Sequence, residues 1–200
     1  MKNNFNFLTL SVFHNCEFEE FTSNLLNGFG YKRDFKKGII SVNPDVLNVE
    51  QYFDPLPGGH YEKYSWWCSK LYPDTVFLMS NLQDGMSRYC ESFAMDLDCP
   101  LTLIRTSHQA PFESLYWFEH IDAEGHQRLV YALREDRWVF CDLGEPLPFE
   151  NLDYYKRRII KQRINFDIIV EYLSKMGINL WDIDSEVTQC MTFERTAWNQ

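Results

Sequence analysis

Ser114-Leu-Tyr-Trp-Phe-Glu-His-Ile-Asp-Ala-Glu-Gly-His-Gln-Arg-Leu-Val-Tyr-Ala-Leu-Arg-Glu-Asp-Arg-Trp-Val-Phe-Cys-Asp-Leu143 reads as three strands joined by two turns. Leu115 to Ile121 is rich in aromatic and branched residues, which fit a pleated surface. Asp122-Ala-Glu-Gly-His126 has turn chemistry, and Gln127 to Leu133 is strand-like again. Arg134-Glu-Asp136 makes a second turn before Arg137 to Leu143. This meander, at about residues 115–143, predicts a single α+β domain with packed helices on a mainly antiparallel central sheet.

Upstream of the meander, Met86, Tyr89, Cys90, Phe93, Ala94 and Leu97 recur at helical spacing. They predict a helix over Gln83–Leu97 with one apolar stripe, which Tyr89 and Phe93 help to bury. Thr75 to Ser80 and Leu101 to Thr106 flank it as strands. Downstream, Leu152, Tyr155, Ile159 and Ile160 predict a helix over Phe149 to Gln162. A further helix runs from Asn165, an N-cap residue, to Gly177. Towards the N-terminus, Phe5 to Phe13 reads as a strand, Glu17 to Asn27 as a helix and Gly38 to Asn43 as a short strand. From Pro44 to Pro73 the pattern is poor: Asp54-Pro-Leu-Pro-Gly-Gly59 is a loop, and Tyr61, Tyr64, Trp66 and Trp67 read as core. The tail, with Trp181, Ile183, Val187, Met191 and Phe193, holds room for one last strand.

The formal net charge is −10, which repels nucleic-acid phosphates and anionic membranes and steers basic partners inward. One stretch, Asp153 to Arg163, runs the other way: five bases against one acid, so the rest of the chain carries −14. It reads as a solvated helix face paired with neighbouring acids, the alternative being a docking spot for an acidic group. The N-terminus lacks the shape of a signal peptide, and no apolar run approaches the roughly 20 residues that span a bilayer. The expected compartment is the cytosol, where Cys16, Cys68, Cys90, Cys99, Cys141 and Cys190 are reduced thiols.

No motif in the chain demands chemistry. There is no glycine-rich phosphate loop, and Gly28-Phe-Gly30 reads as a helix cap. His14 and Cys16 share a strand face without a second ligand pair. His120 and His126 flank the first meander turn, with Asp122 and Glu124 between them, but hairpin histidines are ordinarily solvated. Cys68 is the least implausible nucleophile, although burial raises a thiol pKa. We therefore expect no catalytic residues, no cofactor and no stoichiometric metal.

Arg128-Leu-Val-Tyr-Ala-Leu-Arg-Glu-Asp-Arg-Trp-Val-Phe140 and Gly144-Glu-Pro-Leu-Pro-Phe-Glu-Asn-Leu-Asp-Tyr-Tyr-Lys-Arg-Arg158, continuing to Gly177, resemble small acidic bacterial proteins of the immunity type. Such proteins protect a cell from polymorphic toxins. The resemblance implies a non-catalytic cytosolic protein, monomeric when free, that occludes the active site of a cognate toxin domain with a basic surface. It transfers no contact residues. Charge and loop position nominate Asp122, Glu124 and His126 at the hairpin tip, and Glu17, Glu19 and Glu20 at the first helix, as partner-binding residues. The alternatives are a regulatory or scaffold module, and an enzyme whose site assembles in space from His120, His126 and nearby acids.

Overall fold

A strand that packs on one face alternates apolar and polar residues, whereas one covered on both faces is apolar nearly throughout. The middle strands here are of the second kind. The computed structural model describes residues 5–28, 38–42, 47–53, 55, 61–107 and 114–195. Its strands are β1 (Phe7–His14), β2 (Gly38–Val42), β3 (Lys63–Ser69), β4 (Tyr72–Ser80), β5 (Leu101–Ser107), β6 (Leu115–Ile121), β7 (Gln127–Arg134), β8 (Trp138–Leu143) and β9 (Val187–Arg195). They form one nine-stranded sheet in the order β2-β9-β3-β4-β1-β5-β6-β7-β8. Every neighbouring pair is antiparallel, so the α+β class and the meander β6–β8 are as the sequence predicts.

Three helices sit on the two faces. On one lie α1 (Phe18–Gly28) and α2 (Ser87–Asp96), packed over Phe13, Tyr64, Trp66, Leu78, Leu101 and Leu103. On the other, α3 (Phe166–Lys175) and the segments around it cover Leu8, Leu10, Trp67, Ile104, Phe118 and Val130. Both buried indoles are satisfied: Trp66 Nε1 donates to Thr22 Oγ1 at 2.8 Å and Trp67 Nε1 to the Ile183 carbonyl at 2.7 Å. Asn165 caps α3 by accepting from the Ile168 N–H, as its position in the sequence suggests.

Two predicted helices need correction. α2 starts at Ser87 instead of Gln83, because Met86 adopts a left-handed φ of 61° and the Asp84 carboxylate takes up its N–H. Tyr89 is 50% exposed, off the buried stripe, while Phe93 is buried. The segment read as a helix over Phe149 to Gln162 is a chain of turns ending in a 3-10 turn, Ile160–Gln162. Its apparent stripe fails because Leu152 and Ile159 point to solvent. Tyr155 and Glu150 turn inward instead.

What organises that segment is a buried ion cluster. The Arg128 side chain bonds both oxygens of Glu150 through Nε and Nη2 at 2.8 and 2.6 Å, and Asp142 through Nη1 at 2.6 Å. Nη1 also donates to the carbonyls of Leu143 and Gly144. Gly144 has a φ of 81°, and a Cβ there would strike the Gln127 carbonyl. The region from Pro44 to Pro73, poorly patterned in sequence, contains β3 and a 3-10 turn, Val49–Tyr52. The Asp54–Gly59 loop lies outside the described residues except for Pro55. Among the described residues no helix is long and apolar enough to cross a membrane.

Candidate functional site

Pleating sends odd-numbered residues of β5 to β8 to the α1/α2 face, and the registers align them in cross-strand rows. One row is Arg105, Trp117, Tyr131 and Cys141; the next is Leu103, Glu119, Leu129 and Leu143; a third is Ser107, Leu115, Leu133 and Val139. Leu115, Trp117, Leu129, Tyr131, Leu133, Val139, Cys141 and Leu143 belong to neither hydrophobic cluster; Leu115 is buried, Val139 and Leu143 are exposed, and the others are half-buried. α1 and α2 cover the middle of the sheet and reach the near side of β6, where Ile121 packs against their cluster and Glu119 is buried. With strands about 4.8 Å apart and about 20 Å long, the footprint of this face of β6–β8 is on the order of 300 Å².

The face has a polar corner. Trp117 stacks on Tyr131, with centroids 4.7 Å apart and planes within 9°. The Arg105 guanidinium carbon lies 5.3 Å from the Trp117 ring centre. Trp117 Nε1 donates to Glu119 Oε2 at 2.9 Å, and the Gln127 amide donates to the other oxygen. Glu119 is buried, and these two neutral donors bond its side chain. Burial lowers the Arg105 pKa against the pull of Asp84 and Glu119, and the group stays cationic.

The nominated acids fall at one end of the sheet. His14 pairs with Thr75, Phe13 with Leu101 and Leu101 with Ile121, so Glu17 and the Asp122–His126 turn both lie just beyond that end. Glu17, Glu19, Glu20 and Glu124 are exposed. Glu19 accepts from the Gln189 amide. Asp122 is not a free charge: its carboxylate accepts from the His126 N–H at 2.8 Å and from His126 Nδ1 at 2.9 Å. Partial desolvation of Asp122 is outweighed by these bonds, which hold its pKa below the ordinary value and raise that of His126. Asp122, Glu124 and His126 bring one ligand atom each within 4.8 Å of one another, on an exposed turn.

On the α3 face, His120, Asp122, His126, Arg128 and Leu147 line a cavity of about 720 Å³. Behind it, Thr102 Oγ1 lies 2.9 Å from His14 Nε2 and 3.0 Å from His120 Nδ1. Burial, then the nearby His120, lowers the His14 pKa to about 4, and burial also lowers that of His120. A histidine held neutral in the fold but charged in the unfolded chain destabilises as pH falls below its ordinary 6.5. Stability should therefore drop by about 2 kcal/mol on this account between pH 7 and 5. Denaturant titrations of the wild type and His14→Gln across that range test it, since the variant should show the shallower slope.

Compared with known proteins, the chain matches no family model, no curated sequence and no solved structure. Among the described residues, fold and face together define an α+β sheet protein with an aromatic, half-buried sheet face outside both hydrophobic clusters, beside an acidic end. Reading the sequence misses Arg105, Trp117 and Tyr131 as a surface. A signal for them exists: the meander strands are apolar at odd and even positions alike, which requires cover on both faces. The helices that cover the odd-numbered side belong to the strands before the meander.

Proposed function

We propose that this protein acts by binding another protein, as a non-catalytic inhibitor of the immunity type that occludes the active site of a toxin domain with a basic surface. The odd-numbered face of β6–β8 carries the reading, because it presents Trp, Tyr and Arg, the residue types that dominate binding energy, on a rigid sheet. Its footprint of roughly 300 Å² falls short of the ~800 Å² that each partner buries in a stable complex, so the interface must extend onto a rim. The acidic end of the sheet supplies that rim, and a net charge of −10 favours encounter with a basic partner. The test is co-expression with the toxin-bearing reading frame expected directly upstream. Rescue of growth and co-purification support the reading, and an upstream product that is no toxin and does not bind overturns it.

Rim charges act mainly on the rate of encounter. Glu124→Lys should slow association about threefold to tenfold at low salt, leave dissociation nearly unchanged and flatten the salt dependence. The thermal midpoint should hold, since Glu124 is exposed. Asp122 is unsuitable for the same experiment because its reversal breaks the turn it closes. Surface-plasmon kinetics at two ionic strengths measure the effect, and an unaltered association rate removes the hairpin tip from the interface.

A second reading, an enzyme with a spatially assembled site, draws on one observation: His120 and His126 line the same cavity. Loss of a measured activity on His120→Ala is the result that favours it.

A further inference from the structure

A guanidinium has five N–H donors, and a buried one is ordinarily paired with an acid or bonded to carbonyls. Arg128 obeys that rule five times over. Arg105 does not. Among the described residues its side chain makes no hydrogen bond and no ion pair, and its Nε is buried without a partner. Its stem lies beside the turn Asp84–Ser87 that opens α2, and its head reaches over the Trp117 ring at the border of the odd-numbered face of β6–β8. The two acids that act on it from a distance, Asp84 and Glu119, do not ion-pair with it, and both oxygens of Glu119 are taken by Trp117 and Gln127. The guanidinium is thus held by stacking, with Nε sealed and the two Nη groups left to meet a partner.

We propose that the Arg105–Trp117 corner is a subsite for a carboxylate side chain of the protein partner, flanked by apolar residues that lie on Trp117, Tyr131 and Leu129. This deepens the binding reading above and rests on the odd-numbered face being where the partner docks. Charge complementarity selects the occupant: a planar cation beside an indole accepts a carboxylate through two parallel N–H bonds, with apolar neighbours fitting the rows on either side. The partner is then basic where it meets the acidic end of the sheet and acidic at this one point. A second copy of this chain is a poorer occupant, because two chains of net charge −10 repel.

The test uses isotope-labelled full-length protein and three tripeptides. The first is leucyl-aspartyl-leucine blocked at both ends, the second its asparagine counterpart, and the third the asparagine form with a free C-terminal carboxylate. The aspartyl peptide should shift the Trp117 indole and Arg105 Nε signals and bind about tenfold more tightly than the neutral one, as a charge-assisted pair requires. Arg105→Met should abolish that tenfold difference. Should Arg105→Met fail to fold, Arg105→Lys keeps the charge without the fork and should still reduce it. Equal binding of the aspartyl and asparaginyl peptides overturns the proposal, as does preference for the free C-terminus or a concentration-dependent Trp117 shift without peptide. So does the absence of any shift at about 10 mM, where a millimolar site is largely filled. If the peptide result fails while capture of the toxin domain persists, the subsite falls and the inhibitor reading stands. If capture fails while the peptide binds, the reverse holds.

Discussion

Replacing Glu150 by alanine should cost about 3–5 kcal/mol of folding stability, the usual penalty for stranding a buried charge. Glu150 and Arg128 have side chains with 0% and 2% of their surface exposed, so neither ion can recover water when the other is lost. Asp142, the other acid on Arg128, is 43% exposed and compensates only in part. The same carboxylate accepts the Leu147 N–H and the Tyr155 hydroxyl, so its removal also frees the irregular segment after β8. For a chain of this size the thermal midpoint should fall by roughly 10 °C. The double variant Arg128→Met with Glu150→Ala should lose less than the sum of the two single losses, since no charge is then left unpaired. Additive losses in that cycle would show that the two side chains do not act as a unit.

The pH dependence follows from the same contacts. Burial pushes the Glu150 carboxyl up, but the bonds from Arg128, Tyr155 and the Leu147 N–H outweigh it and hold the pKa below the ordinary 4.5. A carboxylate with a depressed folded pKa stabilises above its unfolded value, and that contribution is lost as pH falls through the folded one. Acid should therefore destabilise the protein in two windows. The first, below pH 6.5, comes from His14, and the second, below pH 4.5, comes from Glu150.

How much of this is legible in the chain depends on the range of the forces involved. The meander and α3 are written locally, through turn residues, alternation and the Asn165 cap. β3 is not, because Tyr64, Trp66 and Cys68 fill one face while Ser65 and Trp67 are buried on the other, which erases any period of two. The insertion of β9 between β2 and β3 is a long-range pairing with no local mark. Residues 149–162 have helical spacing, yet the demand of Arg128 for a buried acid turns Glu150 inward. The acids at Glu17 and Glu124 are visible in sequence as charge, but their placement at one end of the sheet comes only from the registers.

Trp117→Ala should weaken capture of the toxin domain by about 2–4 kcal/mol, a loss of roughly thirtyfold to a thousandfold, as truncation of an aromatic anchor does. Trp117 stands at the inner border of the β6–β8 face, between Arg105 and Tyr131 along its row and beside Glu119, for which it is a donor. Removing it takes away the apolar platform, releases the Arg105 head from its stack and leaves Glu119 with Gln127 alone. Tyr131→Ala removes the stacking partner without disturbing Glu119, so its loss should be smaller, at about 1–2 kcal/mol. Leu152 and Ile159 are apolar side chains outside this face that are more exposed than Trp117, at 45% and 49%. Their replacement by serine controls for a general loss of surface hydrophobicity and should leave affinity within about 0.5 kcal/mol. Calorimetric titration measures the affinities, and denaturant unfolding of each variant separates binding from stability. If Trp117→Ala binds like the wild type, or if the Leu152 and Ile159 variants lose as much, the face of β6–β8 is not where the partner sits. The acidic end of the sheet, with the cavity beside His120 and His126, would then be the surface to probe.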